Sequence, residues 1–234
     1  MNAPTSPPEL SSLERAGRQA QVVRALLAVL PAHALLYTPE DTTPYECDGL
    51  TAYRERPLAV ALPETYAQVQ AVLKTCHALD VPVVARGAGT GLSGGAMPHK
   101  LGVTLSLAKF NKILKLDAAS RTAVVQGGVR NLAISEAASP LGLYYAPDPS
   151  SQIACTIGGN VAENSGGVHC LKYGLTVHNV LKVKGFTIEG DEVEFGGDFA
   201  LRVRRHAGRS RRRNWPHERG LGALWHHGDY RQPE

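Results

Sequence analysis

A short apolar strand, Val81–Ala85, runs without a break into Arg86-Gly87-Ala88-Gly89-Thr90-Gly91-Leu92-Ser93-Gly94-Gly95, five glycines in nine positions. Gly89-x-Gly91-x-x-Gly94 satisfies the dinucleotide-binding pattern, which requires just such a preceding strand. The residues downstream of the loop do not fit that pattern. A Rossmann loop opens a helix whose N-terminus holds a pyrophosphate, and a carboxylate about 20 residues on takes the ribose. Here Ala96-Met97-Pro98-His99-Lys100 leads straight to another strand at Val103, and the next acid is Asp117. A Rossmann site for a nicotinamide cofactor is therefore not expected. What remains is a run of glycines whose backbone N–H groups can converge on an anion without a helix, with Thr90 and Ser93 as hydroxyl donors. A tight, ligand-free strand connection is the alternative.

Around this loop the chain has an α/β rhythm. Apolar residues at helical spacing (Val22, Val23, Leu26, Leu27, Leu30) predict a helix from Leu13 to Leu30, stopped by Pro31. Leu58–Leu62 reads as a buried strand and Glu64–Leu79 as an amphipathic helix. With Val81–Ala85 they form a β-α-β unit, which implies parallel pairing. Val103–Leu107, Lys112–Leu116 and Thr122–Gln126 read as further strands and Val129–Ser139 as a helix. Leu181–Ile188 and Glu192–Phe195, flanking Gly190-Asp191, read as a hairpin. Between them, the segment 144–179 lacks periodicity and reads as mainly loop.

That segment carries a second anion-friendly surface. Ala146-Pro147-Asp148-Pro149-Ser150-Ser151-Gln152-Ile153-Ala154-Cys155-Thr156-Ile157-Gly158-Gly159-Asn160 continues through Val161-Ala162-Glu163-Asn164-Ser165-Gly166-Gly167. Two Gly-Gly steps among small amides and hydroxyls suit a ligand approached closely by backbone. Two such loops imply an extended ligand with a diphosphate in its middle.

Arg86–Gly95 together with the run from Pro147 to Gly174 resembles the FAD domain of the vanillyl-alcohol-oxidase and p-cresol-methylhydroxylase (PCMH) flavoproteins. Tyr45-Glu46-Cys47-Asp48-Gly49-Leu50, Pro147-Asp148-Pro149-Ser150-Ser151 and Gly166-Gly167-Val168-His169-Cys170-Leu171-Lys172-Tyr173-Gly174 are similar to the glycolate-oxidase branch of that family. The resemblance covers Tyr37 to Asp198. It implies an α/β (α+β) PCMH-type FAD-binding domain at 37–198, made of two small α/β subdomains, after an N-terminal helical extension at 1–36. Gly87, Ala88, Gly89, Thr90 and Gly91 would wrap the pyrophosphate, with Arg86, Leu92 and Ser93 completing that loop. Pro147, Asp148 and Ser151 would lie near the ribityl chain and flavin ring. Thr156, Gly158, Gly159, Asn160, Asn164, Gly166 and Gly167 would complete the pocket. In this branch FAD is held noncovalently, so His169 is expected as a pocket-wall or surface residue rather than a tether. Tyr145 and Tyr173 are expected to serve the core rather than to stack on a ring.

The implied activity is hydride transfer from a 2-hydroxy acid, glycolate first, to FAD. D-lactate and D-2-hydroxyglutarate dehydrogenases of the same fold are the alternatives. The implied partners are a second flavin-domain subunit and an iron–sulfur subunit of a glycolate oxidase complex. The implied location is the cytoplasm, with the inner face of the cytoplasmic membrane reached through partners only. No secretory leader or apolar span is legible. The four cysteines lack metal or CxxC spacing and read as free thiols.

After Asp198 the composition changes. The segment 199–234 holds nine arginines, no lysine and three acids, a net +6 against −2 for residues 1–198. Both tryptophans and four of nine histidines fall there. It reads as an aberrant basic tail, from a reading-frame slip or simple disorder. A nucleic-acid role would rest on it alone, with no accompanying fold motif, and is not expected. The His226-His227 pair has no ligand spacing, so no metal is assigned. The substrate domain and the catalytic groups it would carry are expected to be missing, leaving catalytic residues unassigned. A chain of this kind would bind FAD weakly or not at all and turn over no substrate.

Overall fold

The computed structural model describes residues 11–196 and the backbone of Leu224 and Trp225. The basic tail, its histidine pair and the first ten residues lie outside the described residues, apart from that short stretch of backbone.

Helix α1 (Ser12–Leu27) starts at a capping box in which Ser11 and Glu14 satisfy each other's backbone N–H groups, and buries Val22, Val23 and Leu26. Strand β1 (Leu35–Leu36) and the single turn α2 (Pro39–Thr42) follow. Next come β2 (Ala59–Ala61), α3 (Tyr66–Ala78), β3 (Val83–Arg86) and β4 (Val103–Ser106). They form one sheet in the order β1-β2-β4-β3, with β1 antiparallel to β2, and β2 and β3 each parallel to β4. The expected β-α-β unit is parallel, but β4 lies between its strands. The crossover through α3 leaves a gap that the chain fills on returning from the glycine loop.

Helix α3 opens on a second capping box, Thr65 with Gln68, and buries Val69, Val72, Leu73 and Cys76 against the sheet. Valines and leucines of α1, α3 and the sheet share one core with Phe110 and Phe186. Full burial of one such leucine contributes roughly 2 kcal/mol. The predicted N-terminal extension thus packs into the same core as the sheet.

Beyond β4, the antiparallel pair β5 (Ile113–Asp117) and β6 (Thr122–Val125) leads to α4 (Asn131–Ala138). Ala123, Val125, Val129, Ile134, Tyr145 and Ile157 make a second core here. Tyr145 is therefore a core residue, as expected.

The segment 144–179 departs from its loop reading. It contains α5 (Ile157–Glu163), α6 (Cys170–Tyr173) and α7 (Thr176–Asn179). Helices of four to seven residues are too short to show a 3.6-residue period, and Gly158-Gly159 lowers the helix propensity of α5 further. Asn164 ends α5 in the left-handed region at φ +51°, and its side chain accepts from the Val177 N–H at 3.0 Å. The last elements are β7 (Lys182–Phe186) and β8 (Glu192–Gly196), the predicted hairpin, with β9 (Leu224–Trp225) against β7. Gly190 turns the hairpin at φ +80°, and its carbonyl accepts from Gln70 of α3 at 2.7 Å.

Candidate functional site

Strand β3 ends at Arg86, and no helix intervenes before β4, so the glycine loop runs from strand to strand as its sequence required. Gly89 and Gly94 take left-handed φ values of +70° and +77°, open to glycine at little cost. Arg86 is 9% exposed, and its guanidinium lies beneath Gly89. It donates to the carbonyls of Cys47 (2.8 Å) and Ala96 (3.3 Å) and stands 5.6 Å from the centre of the Tyr45 ring. Arg86 thus braces the loop from below.

The Tyr45–Leu50 segment backs the loop. A Cβ on Gly49 would stand 2.7 Å from the Gly91 carbonyl oxygen and 2.9 Å from that of Thr90, so only glycine permits this approach. Buried Asp48 accepts from the N–H groups of Leu50 (2.9 Å) and Ala96 (3.4 Å), fixing both ends of the contact.

The second glycine-rich run reaches the same place. The Thr156 side chain lies against Gly87, and its Oγ1 is buried with no hydrogen-bond partner. The Gly159 amide nitrogen is 3.8 Å from where a Gly87 Cβ would be. Gly158 packs on the Gly127 carbonyl, to which its own N–H donates at 2.8 Å. Asn160 is buried and donates to Asn131 Oδ1 at 2.8 Å, while Asn131 Nδ2 donates to the Pro147 carbonyl at 2.9 Å. Two buried amides therefore tie α5 to the start of the Pro147–Ser151 turn.

A second cluster forms at that turn. Asp148 accepts from the His169 ring Nδ1 at 2.6 Å and from its backbone N–H at 3.2 Å. Burial pushes the Asp148 carboxyl up, but the hydrogen bonds and charge of His169 outweigh this and hold it below its ordinary value. Gly167 fits closely over Asp148, where a Cβ would collide. Tyr144 and Tyr173 meet edge to face at 6.1 Å, and Lys172 lies 4.9 Å from the Tyr173 ring centre. The Tyr144–Tyr173 hydrogen bond lowers Tyr173 and raises Tyr144.

The structure brings Arg86–Ser93, Thr156 and Gly158–Asn160 into one junction, and Pro147, Asp148 and Gly167 into an adjoining one. The Ser151 backbone carbonyl accepts from the N–H groups of Ala154 and Cys155 and closes the turn there. Gly166 packs on Leu175 and Cys170, and Asn164 ends α5. Leu92 is 73% exposed. A shallow groove of about 500 Å³ lies elsewhere, by Glu14, Arg18, Asp80 and His99, and shares no residue with either junction.

Sequence reasoning missed Asn131 and Glu163. Glu163 Oε2 accepts from Ser93 Oγ at 2.6 Å, and Oε1 stands against Gly91 and Gly95. The one acid between the two Gly-Gly steps, Gly158-Gly159 and Gly166-Gly167, was the available signal.

The junction fits a diphosphate. Gly91 and Gly159 need glycine neither for φ nor for packing, since the nearest atoms to a Cβ would be 3.6 and 4.0 Å away. Gly159 adjoins the buried, unpartnered Thr156 hydroxyl, and Gly91 faces only the Glu163 carboxylate, so the room that they leave is room for a close ligand.

A family profile described as FAD binding domain matches residues 57–196. Glycolate oxidase subunit GlcD of Escherichia coli K12 is 61% identical over 177 residues, 76% of this chain and 36% of that protein. The Bacillus subtilis GlcD is 40% identical over 68% of this chain and 34% of its own length. A D-lactate dehydrogenase of Archaeoglobus fulgidus is 39% identical over 59% of this chain and 31% of its own. The chain thus spans about a third of the length of these curated relatives. Among solved structures, alkyldihydroxyacetonephosphate synthase superposes at TM-score 0.72 and 20% identity, over 97% of this chain and 45% of that one. A grass pollen allergen with glucose dehydrogenase activity superposes at 0.71 and 19%, over 91% and 44%. At such identities these two speak for the fold alone, a mixed α/β fold shared with PCMH-type flavoproteins.

Proposed function

The chain belongs to the FAD binding domain family, and from that premise we propose that it is the FAD-binding part of a flavin-dependent 2-hydroxy-acid oxidoreductase of the glycolate oxidase type. The observation that carries the proposal is the convergence of two glycine-rich segments, separated by about sixty residues of sequence, on one junction around Gly87, Thr156 and Gly159. The substrate preference rests on the 61% identity to a glycolate oxidase subunit.

In this reading the loop from Gly87 to Gly91 and Gly159 offer backbone N–H groups, and Thr156 one hydroxyl, to the diphosphate, while Gly158 holds α5 against Gly127. Arg86 holds the loop from beneath and adds buried positive charge. Asn131 and Asn160 fix the Pro147 carbonyl and with it the position of Asp148, beside the ribityl chain and ring. Bound FAD would supply the two-electron acceptor for oxidation of the substrate's carbinol carbon. The second flavin-domain subunit, the iron–sulfur subunit and contact with a membrane through them belong to the same proposal. Among the described residues no helix is long and apolar enough to cross a membrane. The nucleic-acid reading finds no support in these relatives.

A titration of the purified chain with FAD, followed by flavin fluorescence, tests the proposal. Weak, saturable binding that ADP competes away is expected. An absence of competition between FAD and ADP would sink the diphosphate site. The rival reading is a D-lactate or D-2-hydroxyglutarate dehydrogenase, and a relative named for the latter is 38% identical over 74% of this chain. Dye reduction by the whole assembly with glycolate, D-lactate and D-2-hydroxyglutarate as rival substrates separates them, and glycolate is expected to be fastest.

A further inference from the structure

Glu163 places a carboxylate at the glycine loop that should receive a diphosphate. Its Oε2 takes the Ser93 hydroxyl proton at 2.6 Å, and its Oε1 is 3.6 Å from a Cβ built on Gly91 and still closer to one built on Gly95. A hydroxyl has one proton to donate, so Ser93 cannot at once serve Glu163 and a phosphate oxygen. The other charged groups at the loop are engaged elsewhere. Arg86 donates to the Cys47 and Ala96 carbonyls, and Asp48 accepts from the N–H groups of Leu50 and Ala96.

We propose that Glu163 is a built-in competitor at the diphosphate cradle: it clasps the loop through Ser93, a contact that an incoming diphosphate must displace, and it opposes that diphosphate by like charge. The proposal rests on the FAD reading above. The two halves of the contact have separate consequences. As a clasp, Glu163 restrains Gly89–Gly95 between itself and the Gly49 backing, giving a glycine-rich segment one conformation. As an anion, it lowers affinity for a ligand carrying two phosphates while leaving affinity for the same ligand without them unchanged.

The test uses the full chain, E163Q and E163A. Gln keeps an acceptor for Ser93 and removes the charge, and Ala removes both. The position is exposed, so both variants are expected to fold. In the cofactor-free proteins, amide hydrogen exchange across Gly89–Gly95 should be about tenfold faster in E163A, as expected for a loop freed from its tether, and little changed in E163Q. Calorimetric titration with ADP at low salt should show about fivefold tighter binding to E163Q, the size of one screened surface charge contact, fading in high salt, with adenosine unaffected. Equal or weaker ADP binding to E163Q overturns the charge barrier while leaving the FAD reading intact. Unchanged exchange in E163A overturns the clasp. If ADP binds to none of the proteins, the FAD reading falls and the charge barrier with it, and the exchange result alone decides the clasp.

Discussion

The two glycine-rich segments share a composition and differ in how they use it. In Gly87–Gly95, left-handed φ values at Gly89 and Gly94 shape a bare strand-to-strand loop. That loop has no ladder of its own and is held by Arg86, Asp48 and Gly49 beneath it. In the run from Thr156 to Gly167, Gly158 and Gly159 lie inside a short helix, and buried Asn131 and Asn160 supply the rigidity. One segment is shaped by backbone freedom and braced from outside. The other is regular and gives up side chains so that something can come near. A glycine count alone cannot tell these uses apart. What separates them is which atoms an added Cβ would meet.

The largest expected effect comes at the contact between the segments. Gly87→Val would drive a branched side chain into Thr156 and push α5 from the loop. We expect a loss of about 3 kcal/mol of unfolding free energy, in the range for overpacked interiors, read from the urea midpoint. A midpoint within error of wild type would show that the segments do not pack as described. Asn131→Ala comes next. It strands Asn160 Nδ2 and releases the Pro147 carbonyl in a site with no access to water, at a cost of about 2 kcal/mol. Gly159→Ala should separate folding from binding. Alanine improves helix propensity by up to ~1 kcal/mol and meets only the Thr156 hydroxyl at an ordinary 4.0 Å, so stability should hold or rise. FAD affinity should fall by about tenfold, the equivalent of ~1.4 kcal/mol, because the methyl takes ligand space. Falling stability together with unchanged affinity would reverse the assignment of this glycine.

Much of the fold was legible because its signals are local. The periods of α1 and α3, both with capping boxes, and the alternation around Gly190-Asp191 each lie within one short stretch of chain. The failure of the Rossmann pattern was legible too, since it needed only the absence of room for a helix after Gly95. The strand order was not. Nothing in Val81–Ala85 says that β4 will separate it from β2, because that choice is made by sheet contacts between residues distant in sequence. At the site, the glycines were visible as types, but Asn131 and Glu163 gain meaning only from partners 29 and 70 residues away. Short helices such as α5 leave too few turns for a pattern to appear.

The smallest effect concerns the contact of Asp148 with His169 in the second segment. Desolvation raises the Asp148 carboxyl, and the hydrogen bonds and charge of His169 more than reverse this, so its folded value lies below the unfolded one of about 3.9. A carboxyl depressed on folding contributes stability that is fully present above its unfolded value and is lost as pH falls through its folded value. The difference in stability between the native chain and Asp148→Asn should therefore shrink as pH falls below about 4, as the carboxylate is protonated in both states. The His169 side chain is 64% exposed, so added salt should reduce the difference further. Gly87→Val, which breaks a steric contact between uncharged groups, should lose the same stability at every pH and salt concentration. If Asp148→Asn instead shows a pH-independent loss, the Asp148–His169 contact acts as neutral packing, like the contact of Gly87 with Thr156.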